Sequence, residues 1–219
     1  MKKLRLGILA SGGGTNLQSI IDGCAAGTLS AEVAIVICNN PGAGALTRAE
    51  TAGLKTCCIN HRDFTRRSDF DSKVVKQLQA ANVELVVLAG FMRIISPVFL
   101  EAYPQRIINI HPALLPAFPG LHVQQQAIDY GARFSGCTVH LVDAGVDTGP
   151  IVLQAVVPVL EDDSAEDLAA RILIEEHKIY PQAIQLFAEG RLLIENRRVR
   201  ILPKTPNRPE SSDEPEGND

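Results

Sequence analysis

Short apolar runs alternate with amphipathic stretches along the first half of the chain. Leu85–Ala89 is apolar throughout, which is typical of a strand buried on both faces of a sheet. In Asn16–Ala26 the apolar residues recur three and four positions apart, which predicts a helix with one buried face. The alternation predicts an α/β fold, doubly wound, with a mostly parallel sheet between helices. The predicted strands are Leu4–Ala10, Val33–Cys38, Thr56–Ile59, Leu85–Ala89 and Ile107–Ile110, and the predicted helices are Asn16–Ala26, Gly44–Ala52 and Asp69–Ala81.

The second half of the chain breaks this alternation. A proline-rich loop, Pro112–Pro119, is followed by a short helix and two consecutive strand patterns, which predicts mixed or antiparallel strands at one side of the sheet. The run from Ser164 to Asp167 resembles a capping box and predicts a long helix to about Glu189. Pro181 lies inside this helix and should kink or divide it. The other predicted elements are a helix at Val123–Tyr130, strands at Gly136–Val142 and Ile151–Val157, and a terminal hairpin of Arg191–Ile194 with Arg197–Ile201.

Composition excludes several classes of partner. The 219 residues carry a net charge of −4 without a basic stripe, so we expect no nucleic-acid partner. No apolar run is long enough for a bilayer, and the N-terminal one is too short for a secretory signal. The five cysteines lack the paired spacing of metal ligands, so we expect reduced thiols and a cytoplasmic location. Residues 1–202 contain no linker and should form one domain, whereas the acidic, proline-rich segment 203–219 should be disordered.

Three successive glycines join the first predicted strand to the first predicted helix, within Ser11–Asn16. Glycines let the backbone approach a ligand, and the amides at a helix N-terminus favour an anion. A dinucleotide is not favoured, because Leu17 replaces the third glycine of the fingerprint and Asn39-Asn40 replaces its acidic residue. A plain tight turn is the alternative, but three glycines cost more backbone entropy than a turn requires. We therefore expect this loop to bind a single phosphate group.

Asn109, His111 and Asp147 supply an amide, an imidazole and a carboxylate. An amide can donate a hydrogen bond to an oxygen on which charge develops. An imidazole can give or take a proton near neutral pH, and a carboxylate beside it favours its cationic form. These groups suffice to transfer an acyl group to an amine without a covalent enzyme intermediate.

The polar residues near this trio admit simpler interpretations. We interpret Asp143 as a loop cap and His140 as a structural residue of a strand. For His122, loop packing and ligand contact are both left open. A metal site is not expected, because the histidines and Asp147 match no ligand spacing.

Several motifs, in one order along about residues 4–200, resemble the glycinamide ribonucleotide formyltransferase family, the folate-dependent enzymes of purine biosynthesis. The Asn-x-His-Pro motif with a downstream Asp marks the wider formyltransferase superfamily, whereas the glycine loop and the Glu176-His177 pair are more specific. The resemblance implies a Rossmann-like fold with mixed C-terminal strands, a phosphate-binding half at 1–105 and a folate-binding, catalytic half at 106–202. It also implies a cis Leu115–Pro116 bond. The matching segments are Ser11–Gln18, Leu88–Arg93, Asn109–Pro116, Pro119–His122, Asp147–Pro150 and Glu176–His177.

The resemblance further implies the reaction. The amine of glycinamide ribonucleotide attacks the formyl carbon of the co-substrate 10-formyltetrahydrofolate, and a tetrahedral intermediate collapses to release tetrahydrofolate. Asn109 would bind the formyl oxygen, and cationic His111 would stabilise the oxyanion and pass a proton toward the folate nitrogen. Asp147 would favour the cationic form of His111 and help to remove the amine proton through water. The substrate phosphate and ribose would be bound by Gly14, Thr15, Asn16 and Glu176. The folate would be bound by Arg67, Met92, Arg93, Ile94, Ile95, Asn109 and Val142.

Other functions remain as alternatives. Another formyltransferase of the same superfamily could use the amine of a sugar nucleotide as acceptor. A methionyl-tRNA formyltransferase would need a basic face and a further domain, and a deformylase would need an N-terminal regulatory domain. A non-catalytic nucleotide-binding module would lack one of the catalytic groups, yet all three are present. The sequence leaves the oligomeric state open, with a homodimer as one option.

Overall fold

A computed structural model describes residues 2–204. They form a seven-stranded sheet in the order β3-β2-β1-β4-β5-β6-β7 and a separate two-stranded sheet, β8-β9. The first five strands along the chain pair in parallel, and β6 and β7 add antiparallel pairing beside β5. The strands are β1 Leu4–Ala10, β2 Ala31–Cys38, β3 Thr56–Cys58, β4 Leu85–Leu88, β5 Ile107–His111, β6 Phe134–Leu141, β7 Ile151–Pro158, β8 Leu192–Glu195 and β9 Arg198–Ile201. The helices are α1 Thr15–Ala25, α2 Gly44–Thr51, α3 Arg67–Ala80, α4 Pro97–Ala102, α5 Val123–Asp129 and α6 Ala165–Ala188, with a 3-10 turn at His61–Asp63. The predicted fold class, including the mixed C-terminal strands, is confirmed.

The central strands are buried on both faces, as their apolar runs predict. Along β1, Ile8 and Ala10 point into a cluster that includes residues of α1 and α6. Leu9, between them, points to the other face and packs with residues of α3 and α4. Two cores therefore sandwich the sheet, and its carboxyl edge is left free for ligands.

The capping box at Ser164 is confirmed. The Ser164 side chain accepts from the Asp167 N–H, and the Asp167 carboxylate accepts from the Ser164 N–H. The prediction that Pro181 might divide the helix is wrong, because α6 runs through it without a break. Pro181 removes one backbone donor, but Tyr180 and Ile184 on either side are fully buried and hold both halves against the sheet. A bend at Pro181 stays a prediction.

Two short elements between the predicted ones were not anticipated. These are α4 and the 3-10 turn at His61–Asp63. In addition, α3 begins at Arg67, two residues before the predicted start. The predicted disordered segment lies outside the described residues from residue 205 onward. Within residues 2–204, none of the helices combines the length and apolar character needed to span a bilayer.

Candidate active site

The carboxyl ends of β1, β4 and β5 meet where the strand order reverses, at the crevice in which open α/β sheets bind ligands. The loops after β1 and β4 are joined there. The N–H of Ser11 donates to the Gly90 carbonyl at 3.0 Å, and the Met92 N–H donates to the Ser11 hydroxyl at 2.9 Å. The crevice is therefore built as one unit from segments about eighty residues apart in sequence.

The glycine loop leads directly into α1. Gly14 is the N-cap, with φ of 75°, and no side chain caps the helix. The first N–H groups of a helix have no partner within it, so those of Thr15 and Asn16 are available to a ligand. A side chain at Gly14 would not fit, because its Cβ would lie 2.8 Å from the Ala45 Cα. Glycine is thus required here both by the backbone angle and by the close approach of α2.

Asn16 and Glu176 meet beside this loop. The Asn16 amide donates to a Glu176 carboxylate oxygen at 2.7 Å, which links α1 to α6. Burial raises the pKa of the Glu176 carboxyl above its ordinary value, and the hydrogen bond from Asn16 acts in the opposite direction. Both side chains line a cavity of about 320 Å³. The carbonyl oxygen of the Asn16 side chain is buried without a partner, which leaves one more acceptor available in this region.

His111, at the end of β5, is buried between two acceptors. Its Nε2 lies 2.8 Å from the Phe118 carbonyl, and its Nδ1 lies 3.4 Å from an Asp147 carboxylate oxygen. A carbonyl can only accept, so the contact with Phe118 requires a proton on Nε2, and a proton on Nδ1 would face the Asp147 carboxylate. The second distance exceeds the 2.7–2.9 Å typical of charge-assisted bonds. The Nδ1–H can therefore be shared with another acceptor.

Asp147 faces two imidazoles from its loop. Its Oδ2 accepts from the Gly120 N–H at 2.9 Å, and its Oδ1 lies 3.6 Å from the Nε2 of His140. Burial opposes ionisation, but the nearby His140 imidazole, the hydrogen bond from the Gly120 N–H and the charge of His111 lower the pKa of Asp147 below its ordinary value. Asp147 therefore remains a carboxylate at neutral pH. Its φ of 53° is left-handed, a conformation that Asp and Asn tolerate better than most residues.

Asn109 is oriented by His140, directly opposite on β6. The His140 Nδ1–H donates to the Leu141 carbonyl at 2.8 Å, which leaves Nε2 to accept from the Asn109 amide at 3.2 Å. The amide nitrogen of Asn109 carries a second hydrogen, which remains for a ligand. His140 is a strand residue, as expected, but it also contacts two members of the trio, a role that the structural interpretation of the sequence missed.

The trio lies at one wall of a cavity of about 580 Å³. Met92 and Ile94 are 69% and 53% exposed, so they present apolar surface to this space. The Arg93 guanidinium stacks on the Phe70 ring, 4.8 Å from its centre. Arg67 is exposed at the start of α3 and is not part of the cavity wall. The other predicted folate-site residues do line it: Met92, Arg93, Ile94, Ile95, Asn109 and Val142.

The two cavities adjoin. Five residues line both of them: Gly90, Met92, Ile110, Pro112 and Gln124. The larger cavity is mostly apolar and contains the trio, whereas the smaller one carries the Asn16–Glu176 pair. Such a geometry suits a reaction between two bound molecules, one in each cavity, with Asn109 and His111 next to the shared residues Ile110 and Pro112.

The loop that carries the Phe118 carbonyl is supported from β6 and β7. The Thr138 hydroxyl accepts from the Leu115 N–H at 3.1 Å and donates to the Ala113 carbonyl at 2.7 Å. The Gln154 amide donates to the Leu115 carbonyl at 2.9 Å. The predicted cis Leu115–Pro116 bond is confirmed. Sequence reasoning missed Thr138 and Gln154, since a polar residue in a strand carries no sign of the loop that it will bind.

The chain is similar to several known proteins of purine biosynthesis and glycinamide ribonucleotide formylation. It is 44% identical to the phosphoribosylglycinamide formyltransferase of Escherichia coli, over 84% of this chain and 87% of that protein. It is 46% identical to the trifunctional purine biosynthetic protein adenosine-3 of Drosophila melanogaster, over 88% of this chain but 14% of that longer protein. The crystal structure of glycinamide ribonucleotide transformylase 1 from Symbiobacterium toebii superposes with a TM-score of 0.91 at 55% identity, covering 92% of this chain and 95% of that one.

The family described as formyl transferase matches residues 4–184. This range includes the glycine loop, the trio and Glu176. The chain therefore belongs to the formyl transferase family.

Proposed function

We propose that this protein transfers the formyl group of 10-formyltetrahydrofolate to the amine of glycinamide ribonucleotide, a step of purine biosynthesis. One observation carries the proposal: His111, with acceptors at both ring nitrogens, lies between Ile110 and Pro112, two residues that line both cavities. The Escherichia coli and Symbiobacterium toebii relatives are named for formyl transfer to the same acceptor, which supports the proposal.

The larger cavity would bind the folate co-substrate. Its volume of about 580 Å³ falls within the ~300–1,000 Å³ typical of small-molecule sites. Met92, Ile94, Ile95 and Val142 offer apolar contact to the ring system, and Arg93 offers a cation for a carboxylate of the folate. Arg67, which is exposed at the start of α3, would reach such a carboxylate only at the outer end of the ligand.

The smaller cavity would bind glycinamide ribonucleotide. The N–H groups of Gly14, Thr15 and Asn16 would bind its phosphate at the N-terminus of α1. Glu176, held by Asn16, would accept hydrogen bonds from the ribose hydroxyls. The phosphate-binding amides lie in residues 1–105 and the catalytic trio lies in residues 106–202, whereas the folate contacts at Met92–Ile95 and the ribose contact at Glu176 cross that division within one domain of residues 1–202.

The reaction then proceeds by direct attack. The amine nitrogen attacks the formyl carbon, and charge develops on the formyl oxygen, which the Asn109 amide and the His111 Nδ1–H stabilise. The loose 3.4 Å contact between His111 and Asp147 leaves that N–H able to turn toward the oxyanion. Asp147 takes a proton from the attacking amine through a water molecule. His111 gives a proton to the folate nitrogen as the bond from carbon to that nitrogen breaks.

The location proposed is the cytoplasm. All five cysteines are unpaired, which suits a reducing compartment.

Acceptor specificity tests this proposal. The purified protein is incubated with a 10-formyl folate analogue and either glycinamide ribonucleotide or the amine of a sugar nucleotide, and the formylated product is identified by mass spectrometry. We expect formylation of glycinamide ribonucleotide and none of the sugar nucleotide. Formylation of the sugar nucleotide alone would assign the protein to another formyltransferase activity. Absence of any turnover in folded protein would favour a non-catalytic binding module.

A further inference from the structure

Helix α2 holds the carbonyl side of the glycine loop. The Ala45 N–H donates to the Gly12 carbonyl at 3.0 Å, and Arg48 donates through Nε to the Gly13 carbonyl at 2.8 Å. The Gly12–Gly13 and Gly13–Gly14 peptide bonds, which carry these carbonyls, are trans. The cis bond found in residues 2–204 is Leu115–Pro116. In a trans peptide the C=O and N–H point in opposite directions. The N–H groups of Gly13 and Gly14 therefore point away from α2.

The Arg48 side chain is itself held in place. Its Nη1 donates to the Gln18 side-chain oxygen at 3.3 Å, and the Gln18 amide donates to Asp22 at 2.9 Å. This chain of hydrogen bonds runs from a carboxylate on α1 to the Gly13 carbonyl. A hydrogen bond from a cation polarises the peptide that accepts it, which makes the N–H of the same peptide a better donor. That N–H belongs to Gly14.

We propose that Arg48 is a positioning residue for the phosphate of the acceptor substrate. It acts through the Gly13–Gly14 peptide, by aiming and polarising the Gly14 N–H, and it contacts neither the formyl group nor the folate. The proposal rests on the proposed function, since it takes the glycine loop as the phosphate site. It assigns to α2, which lies outside both cavities, a role in affinity for the nucleotide.

A substrate without the phosphate isolates this role. Arg48→Ala is compared with the unchanged protein on two acceptors, glycinamide ribonucleotide and the corresponding ribonucleoside. With the nucleotide, kcat/KM should fall about tenfold, the scale of one charge-assisted hydrogen bond. With the ribonucleoside it should change less than about twofold, because the polarised N–H then has no phosphate to bind. The KM for the folate donor should stay the same. Inorganic phosphate, used as a competitive inhibitor, should lose affinity by the same factor as the nucleotide.

Arg106→Ala is the matched control. Arg106 also donates to a backbone carbonyl, that of Glu84 at 3.3 Å, but at the amino end of the sheet. Arg106→Ala should leave kcat/KM unchanged with both acceptors. Arg48→Gln retains a neutral donor, so its kcat/KM should fall by less than that of Arg48→Ala, and only with the nucleotide. This variant replaces Arg48→Ala in the test if Arg48→Ala does not fold.

Equal losses with both acceptors, or no loss with either, would overturn the proposal. These results differ from failure of the proposed function, which would appear as absence of transfer to the nucleotide by the unchanged protein.

Discussion

Asp147→Asn removes one charge from the site and leaves its shape. Asn tolerates the left-handed backbone at this position, and its side-chain oxygen can still accept from the Gly120 N–H. What is lost is the negative charge 3.4 Å from His111 and 3.6 Å from His140. The substitution therefore tests the role of the carboxylate separately from the position of the loop.

The size of the effect follows from the distance to His111. Two unit charges about 3.4 Å apart attract by about 5 kcal/mol at an effective dielectric constant of about 20, and desolvation offsets part of this. A loss of about 3–5 kcal/mol in the transition state lowers kcat by about 10²–10⁴-fold. In the proposed mechanism Asp147 binds neither substrate, so both KM values should change less than about threefold.

Steady-state kinetics with a 10-formyl folate analogue measures these constants. Asp143→Asn is the control, because it removes a charge from the same loop. Asp143 contacts the Gly145 N–H and the Thr148 hydroxyl rather than an imidazole. Its kcat should fall less than about fivefold, the scale of a modest hydrogen-bond change. If Asp147→Asn kept kcat within about tenfold, or raised KM in parallel with the loss, the carboxylate would have no role in the transition state.

Three further predictions concern the folded protein. Glu176→Gln should raise the free energy of unfolding at pH 7, because burial raises the pKa of this carboxyl and destabilises its ionised form. In urea melts, the stability gained by Glu176→Gln should shrink as pH falls through the raised pKa toward about 4.3, because the carboxyl of the unchanged protein is then protonated and neutral. In kinetic assays, the same substitution should raise the KM for glycinamide ribonucleotide. Gly14→Ala should cost about 1–3 kcal/mol of unfolding free energy, since its Cβ would lie 2.8 Å from Ala45 at a φ of 75°; an unchanged melt would contradict the required glycine. Burial raises the pKa of Cys38 and Cys137 to about 12 each, so iodoacetamide at about pH 8 should not label them before unfolding, and rapid labelling would show open cores.

Most elements of the fold could be predicted from short sequence patterns, each only a few residues long. The apolar run at Leu85 predicted a strand buried on both faces, and Ser164 with Asp167 predicted the start of α6. A prior signal for α4 also existed, since Pro97 occupies the first turn after Ser96. The helix has six residues, too few for a helical period to be recognised.

Contacts set by strand register could not be predicted. Asn109 lies opposite His140, and His111 lies opposite Thr138, only because β5 and β6 pair in one register. A shift of one residue would turn these side chains to the other face. The acceptors around His111 include the Phe118 carbonyl, a backbone group that every residue carries. The prediction that Pro181 could divide the helix was wrong, because the packing of α6 on the sheet outweighs the local effect of the proline.

A single-turnover experiment tests direct transfer at the junction of the two cavities. Enzyme in excess is mixed with a donor that carries an isotopic label in its formyl carbon and with glycinamide ribonucleotide, and the reaction is quenched at successive times. The mechanism predicts that label leaves the donor and enters glycinamide ribonucleotide at one rate, with none attached to the protein. Label that passes through a formylated side chain, or is released as formate while the acceptor is present, would contradict it.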